Sequence, residues 1–354
     1  MKLTQDRRRR AIPIVWLLAS LLLIGCNRGA GGSITLRDTG LRFQHNRPVR
    51  SVVFSPSGEA LFTASQDGIV RAWDLPSGAL NEELRVRTGW ASAVAVDPSG
   101  RSLSAGSHGG HVGTWNLLDW TLQSETTVAG DLITGVAFDP SGSSLAVAGL
   151  DGPIYIVDLA DGDLAMQLSP GIQRTNWVAF SPDGSLLVTA HGGPTSESMV
   201  ALLWDPTTGQ ELRALAGHSS PITEAPAPGL ESEAVSIPGD VNSASFNSTG
   251  ELVVTSGSDY TVRLWDALTG SQVVALAGPG AEVSWAAFVG SRSVVAATYW
   301  DGRLRVWDYE LREVIAETNA ATGLLLTGAV SLAGDLIATS DEHGVVRVWH
   351  VRFE

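Results

Sequence analysis

A single cysteine, Cys26, stands in a chain of 354 residues. With no second cysteine there is no disulfide framework and no multi-cysteine zinc site. Basic residues are also scarce, 23 against 37 acidic ones, giving a net charge of −14. Such a surface repels phosphate backbones, which excludes non-specific nucleic-acid binding. Charged residues make up only 17 % and apolar ones 44 %, a balance unlike that of a disordered acidic chain or a coiled coil. The motifs G-x-S-x-G, H-E-x-x-H and the P-loop do not occur, so no nucleophile elbow, zincin site or phosphate cradle is recognisable. His108 and His111 lie three apart with no third ligand placed beside them, and they read as ordinary loop histidines. No metal, cofactor or catalytic residue is expected.

No apolar run reaches the roughly 20 residues that a membrane-spanning helix needs. The longest, Ala11 to Ile24, is interrupted by Pro13 and Ser20 and follows the positive block Lys2 and Arg7 to Arg10. Positive block, short apolar run and small residues together read as a secretory signal. The run ends in Leu23-Ile24-Gly25-Cys26. That ending resembles the box of bacterial lipoproteins, which implies cleavage before Cys26 and lipidation of it. The resemblance covers residues 1–26 only. Residues 1–25 are then a signal peptide, and residues 26–33 a lipidated end with a flexible Gly-rich tether. Asn27 fits sorting to an outer membrane by the same resemblance; the alternative for the whole segment is an uncleaved anchor helix.

What is abundant is repetition. Phe54 to Gly58 (FSPSG) recurs as Val96 to Gly100 (VDPSG), Phe138 to Gly142 (FDPSG) and Phe180 to Gly184 (FSPDG), each 42 residues on. Fainter copies begin at Phe246, Phe288 and Val330, again 42 apart. A second marker follows at Trp73, Trp115, Val157, Trp204, Trp265, Trp307 and Trp349, 19 residues behind the first in every repeat but the fourth, where it is 24. Within a period, β-branched stretches alternate with turn chemistry: Pro fixes φ, Gly tolerates positive φ, and Asp67-Gly68 forms a hairpin turn. Four strands in about 40 residues, seven times over, is the pattern of radially arranged blades.

These residues resemble the WD-repeat family of β-propellers over residues 34–354. The resemblance implies an all-β, seven-bladed propeller of four-stranded antiparallel blades. It also implies a hydrogen-bonded tetrad within each blade, matched in the first repeat by His45, Ser65, Asp67 and Trp73. A buried indole N–H and a buried carboxylate both need partners. Other repeats depart: Val157 replaces the Trp, Gly109 and His343 replace the Asp, and only Gly217-His218 keeps the loop pair. The chain ends after a third strand, so residues 34–43 are expected to close the ring as the outer strand of the last blade.

The period breaks in two places, near residues 192–198 and within residues 219–240. By the resemblance both insertions belong to the top face, over the fourth and fifth blades. The longer one is Pro-rich and acidic and includes Pro221, Glu224, Pro226 and Leu230. It is either a binding element or a tolerated insertion. Four tryptophans outside the repeat slot are the other candidates, because large amphipathic aromatics anchor interfaces. Trp90 and Trp300 fall near the rim; Trp177 and Trp285 anchor a partner or fill space in the channel or between blades. The combined reading is a monomeric, non-enzymatic scaffold of the bacterial cell envelope. It is held by a lipid anchor to the cytoplasmic or an outer membrane and binds a protein or peptide through top-face loops. The alternatives are an enzyme or small-ligand binder using the central channel, and an accessory subunit of an envelope assembly complex.

Overall fold

Each turn marker folds as its chemistry dictates. In the first repeat Val49–Phe54 and Ala60–Ser65 pair around Ser55 to Glu59, where Gly58 takes φ +75°. Asp67-Gly68 then turns the chain into Ile69–Asp74. Gly68 has φ +82°, and a Cβ there would lie 2.7 Å from the carbonyl oxygen of Gly89, so only glycine fits. Leu80–Arg85 completes the sheet. The two middle strands are buried almost throughout, because neighbouring blades cover both faces. The outer strand buries only Leu84 and alternates with water-facing residues.

Seven such sheets occur among the described residues, each with four antiparallel strands and none with a helix between them. This computed structural model describes residues 34–128, 132–172, 174–193, 199–219, 240–278 and 280–354. Residues Ser33–Glu354 form one unit. The leader, Cys26, and the insertion residues Pro221, Glu224, Pro226 and Leu230 lie outside the described residues. The sheets are here numbered as blades 1 to 7 in chain order of their innermost strands. Inner strands of successive blades sit side by side around an axis, and the apolar clusters lie in the seams: Phe62, Leu84, Val94 and Leu103 join blades 1 and 2.

The ring closes as expected. Ile34–Gln44 is the outermost strand of blade 7 and runs antiparallel to Val345–Phe353, from Ile34 opposite Phe353 to Gln44 opposite Val345. Phe43 is fully buried and packs 4.9 Å from the ring of Trp73 in blade 1, so the closing strand also seals the seam between last and first blades.

One irregularity recurs in every blade. The ladder between the first two strands slips by one residue at Arg50, Ser92, Thr134, Asn176, Asn242, Ser284 and Leu326. A bulge re-aims its side chain out of the sheet. Seven bulges at one position therefore make a ring of side chains around the axis.

Candidate functional site

The ring of bulge residues lines a cavity of about 350 Å³ at the mouth of the central channel. The mouth opens on the top face, which carries the turns between second and third strands and the connections between blades. Trp177, Arg174, Asp240, Trp300 and Leu150 are among the other residues of its wall.

Four bulge residues stitch one blade to the next by donating to the carbonyl just before the next bulge. Ser92 Oγ donates to the Ile133 carbonyl (2.5 Å) and Thr134 Oγ1 to that of Thr175 (2.7 Å). Asn176 Nδ2 donates to the Val241 carbonyl (3.0 Å) and Asn242 Nδ2 to that of Val283 (2.9 Å). The pattern then stops. Ser284 bonds within its own blade, to Thr298, Leu326 has nothing to donate, and Arg50 has no hydrogen-bond or ion-pair partner among the described residues. The other cation of the mouth, Arg174, is taken by Asp240 at 2.7 Å.

That ion pair lies where the described residues flanking the two insertions come together. Gly192 at the edge of the shorter and Asp240 at the end of the longer form an isolated β-bridge. The Asp240 carboxylate fills the space that a Cβ on Gly192 would occupy, 1.8 Å from it. Its Oδ1 is buried without a hydrogen-bond partner. Burial pushes the nearby Glu282 carboxyl above its ordinary value, with a smaller push from Asp240, while a hydrogen bond from Ser258 opposes both. One raised carboxylate with no nucleophile beside it does not make an acid–base pair.

The four candidate tryptophans separate. Trp300 lines the mouth and is 42 % exposed. Trp90 is 43 % exposed on the same face, edge-on to His108 with ring centroids 5.8 Å apart. Trp177 is half-buried and packs both on the core of blades 4 and 5 and on that of blades 6 and 7, so it bridges the axis. Trp285 is buried against Gly328 of the next blade, where a Cβ would sit 2.6 Å from its ring, and it offers no surface to a partner. A larger cavity, about 500 Å³, opens between blades 2 and 3 away from the mouth, beside Gln123 and Asp158. It carries neither an aromatic nor a cation.

The tetrad of blade 1 needs a correction. The hydroxyl that Trp73 and His45 share is that of Thr63, at 2.9 and 2.8 Å, and not that of Ser65. Trp73 lies opposite Leu61, and a strand rises about 3.3 Å per residue. Its indole therefore reaches two residues along but not four. Ser65 Oγ instead donates to the Arg47 carbonyl and accepts from Asp67 N–H. Asp67 stands 3.8 Å from His45 and is linked to it by Arg71, which donates to both. Donation from Arg71 to Nδ1 leaves the His45 hydrogen on Nε2, pointing at Thr63. Burial first, then the Arg71 charge, pulls the His45 pKa down to about 4, against the opposing pull of Asp67.

Blade 5 carries the complete chain: Trp265 to Thr255 (2.8 Å), Thr255 to His218 (2.7 Å), His218 to Asp259 (2.9 Å). Burial lowers the pKa of His218 despite Asp259. Burial raises that of Asp259, but the hydrogen bond from His218 and the other bonds and charges around it win, leaving it at about 2. In blades 4, 6 and 7 a residue at the strand position equivalent to Ser65 takes over. His191 serves Thr189 and thereby Trp204 in blade 4. The Tyr299 hydroxyl accepts from Trp307 in blade 6 (3.0 Å), its ring lying under Arg305. Asp341 binds the turn N–H groups and Arg347 in blade 7. Blade 3 drops the network, with buried Val147 and Val157 in its place. Arg71, Arg263, Arg305 and Arg347 each pair with an acidic residue of their own blade.

Among the described residues no three His, Cys, Asp or Glu side chains gather as metal ligands, and no helix is long and apolar enough to cross a membrane. Blade number, strand order, closure and buried indole networks define a seven-bladed β-propeller with a polar ring at its channel mouth. The family profile described as WD domain, G-beta repeat matches residues 39–74, 234–266 and 270–308, consistent with a WD-repeat family. The chain is 30 % identical over 116 residues to the periodic tryptophan protein 2 homolog of Schizosaccharomyces pombe, covering 33 % of this chain and 11 % of that protein. It is 33 % identical over 116 residues to the serine-threonine kinase receptor-associated protein of Dictyostelium discoideum, covering 32 % and 39 %. A third relative, apoptotic protease-activating factor 1 of Rattus norvegicus, is 28 % identical over 93 residues, 26 % of this chain and 7 % of that one. The matched stretch thus spans well under two thirds of each relative. Propellers of this kind are typically protein-interaction scaffolds and generally not enzymes.

Proposed function

We propose that the protein is a non-enzymatic interaction scaffold that binds a protein or peptide at the top-face channel mouth. Lipid on Cys26 holds it to the outer face of a bacterial cytoplasmic membrane or to an outer membrane. The observation that carries the binding reading is the mouth itself. A mostly polar ring that includes the cation Arg50, with an exposed Trp300 at its wall and Trp90 on the same face, has the aromatic anchors and hydrogen-bonding groups of a recognition surface. The anchoring reading is supported by the leader and by the position of the chain's one cysteine.

The test is crosslinking and recovery from membranes. Trp300→Ala and Trp90→Ala are expected to lower partner recovery at least tenfold, since truncated hot-spot residues cost about 2 kcal/mol or more. Leu118→Ala, an exposed control on the opposite face, is expected to leave it unchanged. Equal recovery from all three overturns the assignment of the mouth. A variant lacking residues 219–239 reports separately on the long insertion. Cys26→Ser is expected to release the protein from the membrane fraction, and its retention there removes the anchor.

A further inference from the structure

We propose that the channel mouth selects a ligand bearing a carboxylate, an acidic side chain or chain end of an extended peptide, and that Arg50 is the group that holds it. The proposal builds on the mouth as a binding surface and adds the chemistry of what it binds.

Arg50 occupies a position that elsewhere is neutral. The same bulge carries Ser92, Thr134, Asn176, Asn242, Ser284 and Leu326 in the other blades, and four of these spend their donors on the next blade. Arg50 makes no such stitch. The carbonyl of its own neighbour, Val49, accepts instead from Ser340 across the closing seam (3.0 Å). The guanidinium is therefore free of structural duty, with five N–H donors facing a water-accessible cavity. Arg174 is already neutralised by Asp240, so among the described residues the mouth keeps one uncompensated positive charge, in a protein of net charge −14. Arg50 remains open to water while protein surrounds it on most sides. Burial is what pulls its pKa below the ordinary value, and no carboxylate among the described residues pulls it back. A carboxylate arriving from outside supplies that missing counter-charge in the bidentate geometry that guanidinium favours. A cavity of about 350 Å³ holds one or two residues of an extended chain, and Trp300 lies beside it as an apolar flank.

The experiment follows the indole N–H signals of Trp300 and Trp177 by NMR in the full chain in detergent. Three probes are titrated: acetyl-Ala-Gly-Glu-Gly-Ala-amide, the same peptide with Gln for Glu, and that Gln peptide with a free C-terminal carboxylate. Inorganic phosphate is the anion control. Ionic strength is about 0.15 M, where screening over about 8 Å removes long-range repulsion by the acidic surface. At least one carboxylate probe is expected to shift Trp300 with tenfold or greater preference over the neutral peptide, the range for a charge-assisted hydrogen bond. The Glu and free-terminus arms tell an acidic side chain from a chain end. Arg50→Gln is expected to abolish the preference while leaving the melting temperature unchanged, because the Arg50 side chain makes no bond to another described residue. Equal shifts from all peptides, no shift from any, an unchanged preference in Arg50→Gln, or phosphate matching the peptides would each overturn the proposal. The two readings fail separately. Loss of crosslinked partner in Trp300→Ala without carboxylate preference leaves the mouth a partner site of other chemistry. An Arg50-dependent preference with partner recovery intact in Trp300→Ala leaves the carboxylate site and moves the partner elsewhere.

Discussion

Removing the closing strand tests the architecture most directly. Deleting residues 34–43 strips all but one of the eight registered pairs along Val345–Phe353 and breaks the bond from Thr39 Oγ1 to the Val348 carbonyl (2.8 Å). It also empties the sites of buried Ile34 and Phe43. The Phe43 side chain alone sets a scale, since a buried Phe→Ala change costs about 3–5 kcal/mol. Unfolding entropy near 2.1 cal/mol/K per residue, over the residues of the propeller unit Ser33–Glu354, amounts to about 0.7 kcal/mol/K. Phe43→Ala is therefore expected to lower the melting temperature by about 4–7 °C, and the deletion by more than about 10 °C. Calorimetry reads the shift, and amide exchange along Val345–Phe353 reads its origin. Leu103→Ala, in the seam between blades 1 and 2, is the control. It should destabilise by about 2–5 kcal/mol while leaving exchange in Val345–Phe353 no faster than its global stability demands. A deletion variant melting within about 2 °C of the intact chain, or Leu103→Ala exposing that strand as much as Phe43→Ala, would refute closure as the source of stability.

Two further outcomes follow from the buried networks. Thr63→Ala leaves the Trp73 indole N–H and His45 Nε2–H without their acceptor and should cost about 1–3 kcal/mol for each unpaired group, read by denaturant unfolding; a loss under about 0.5 kcal/mol counts against the network. Acid should weaken the fold in a defined window. His45 and His191 are held by burial at about 4, whereas the unfolded chain takes up those protons near 6.5. The unfolded state thus binds more protons, and stability present above pH 6.5 falls by up to about 1.4 kcal/mol per pH unit for each histidine on the way down to about 4. Asp259, at about 2, extends the loss to lower pH. Unfolding free energy that is flat between pH 6.5 and 4.5 would remove both histidines from the account.

Much of the fold was legible in the sequence because a propeller writes itself as a period. The FSPSG-type turns and the tryptophan slot point to blade number and strand order, and a last repeat with only three strands points to the role of residues 34–43. The mouth was less legible. A bulge shifts the facing of one residue per blade, and nothing about Arg50 or Asn176 as residue types announces it; only their shared position, four residues before each Phe or Val turn marker, is there to be read. The resemblance puts Ser65 in the tetrad, but Thr63 lies two residues along the same strand with the same facing, and the reach of the Trp73 indole decides for Thr63. His191, Tyr299 and Asp341 were missed because each repairs its blade from a neighbouring strand position, which a search for the same residue in the same slot passes over. Sequence leaves Trp285 open between anchor and space-filler, because residue type does not reveal the bare Gly328 that receives its ring.

The closing strand has a consequence for how the molecule is made. Ile34–Gln44 leaves the ribosome about 300 residues before Val345–Phe353, some 15–60 s earlier at about 5–20 residues per second. Throughout that interval the first strand made has no mate, and a growing arc of sheets presents unsatisfied edges to anything nearby. A chain halted short of Val345 stays an open arc however well its early blades have formed, so Val345–Phe353 decides the fate of Ile34–Gln44.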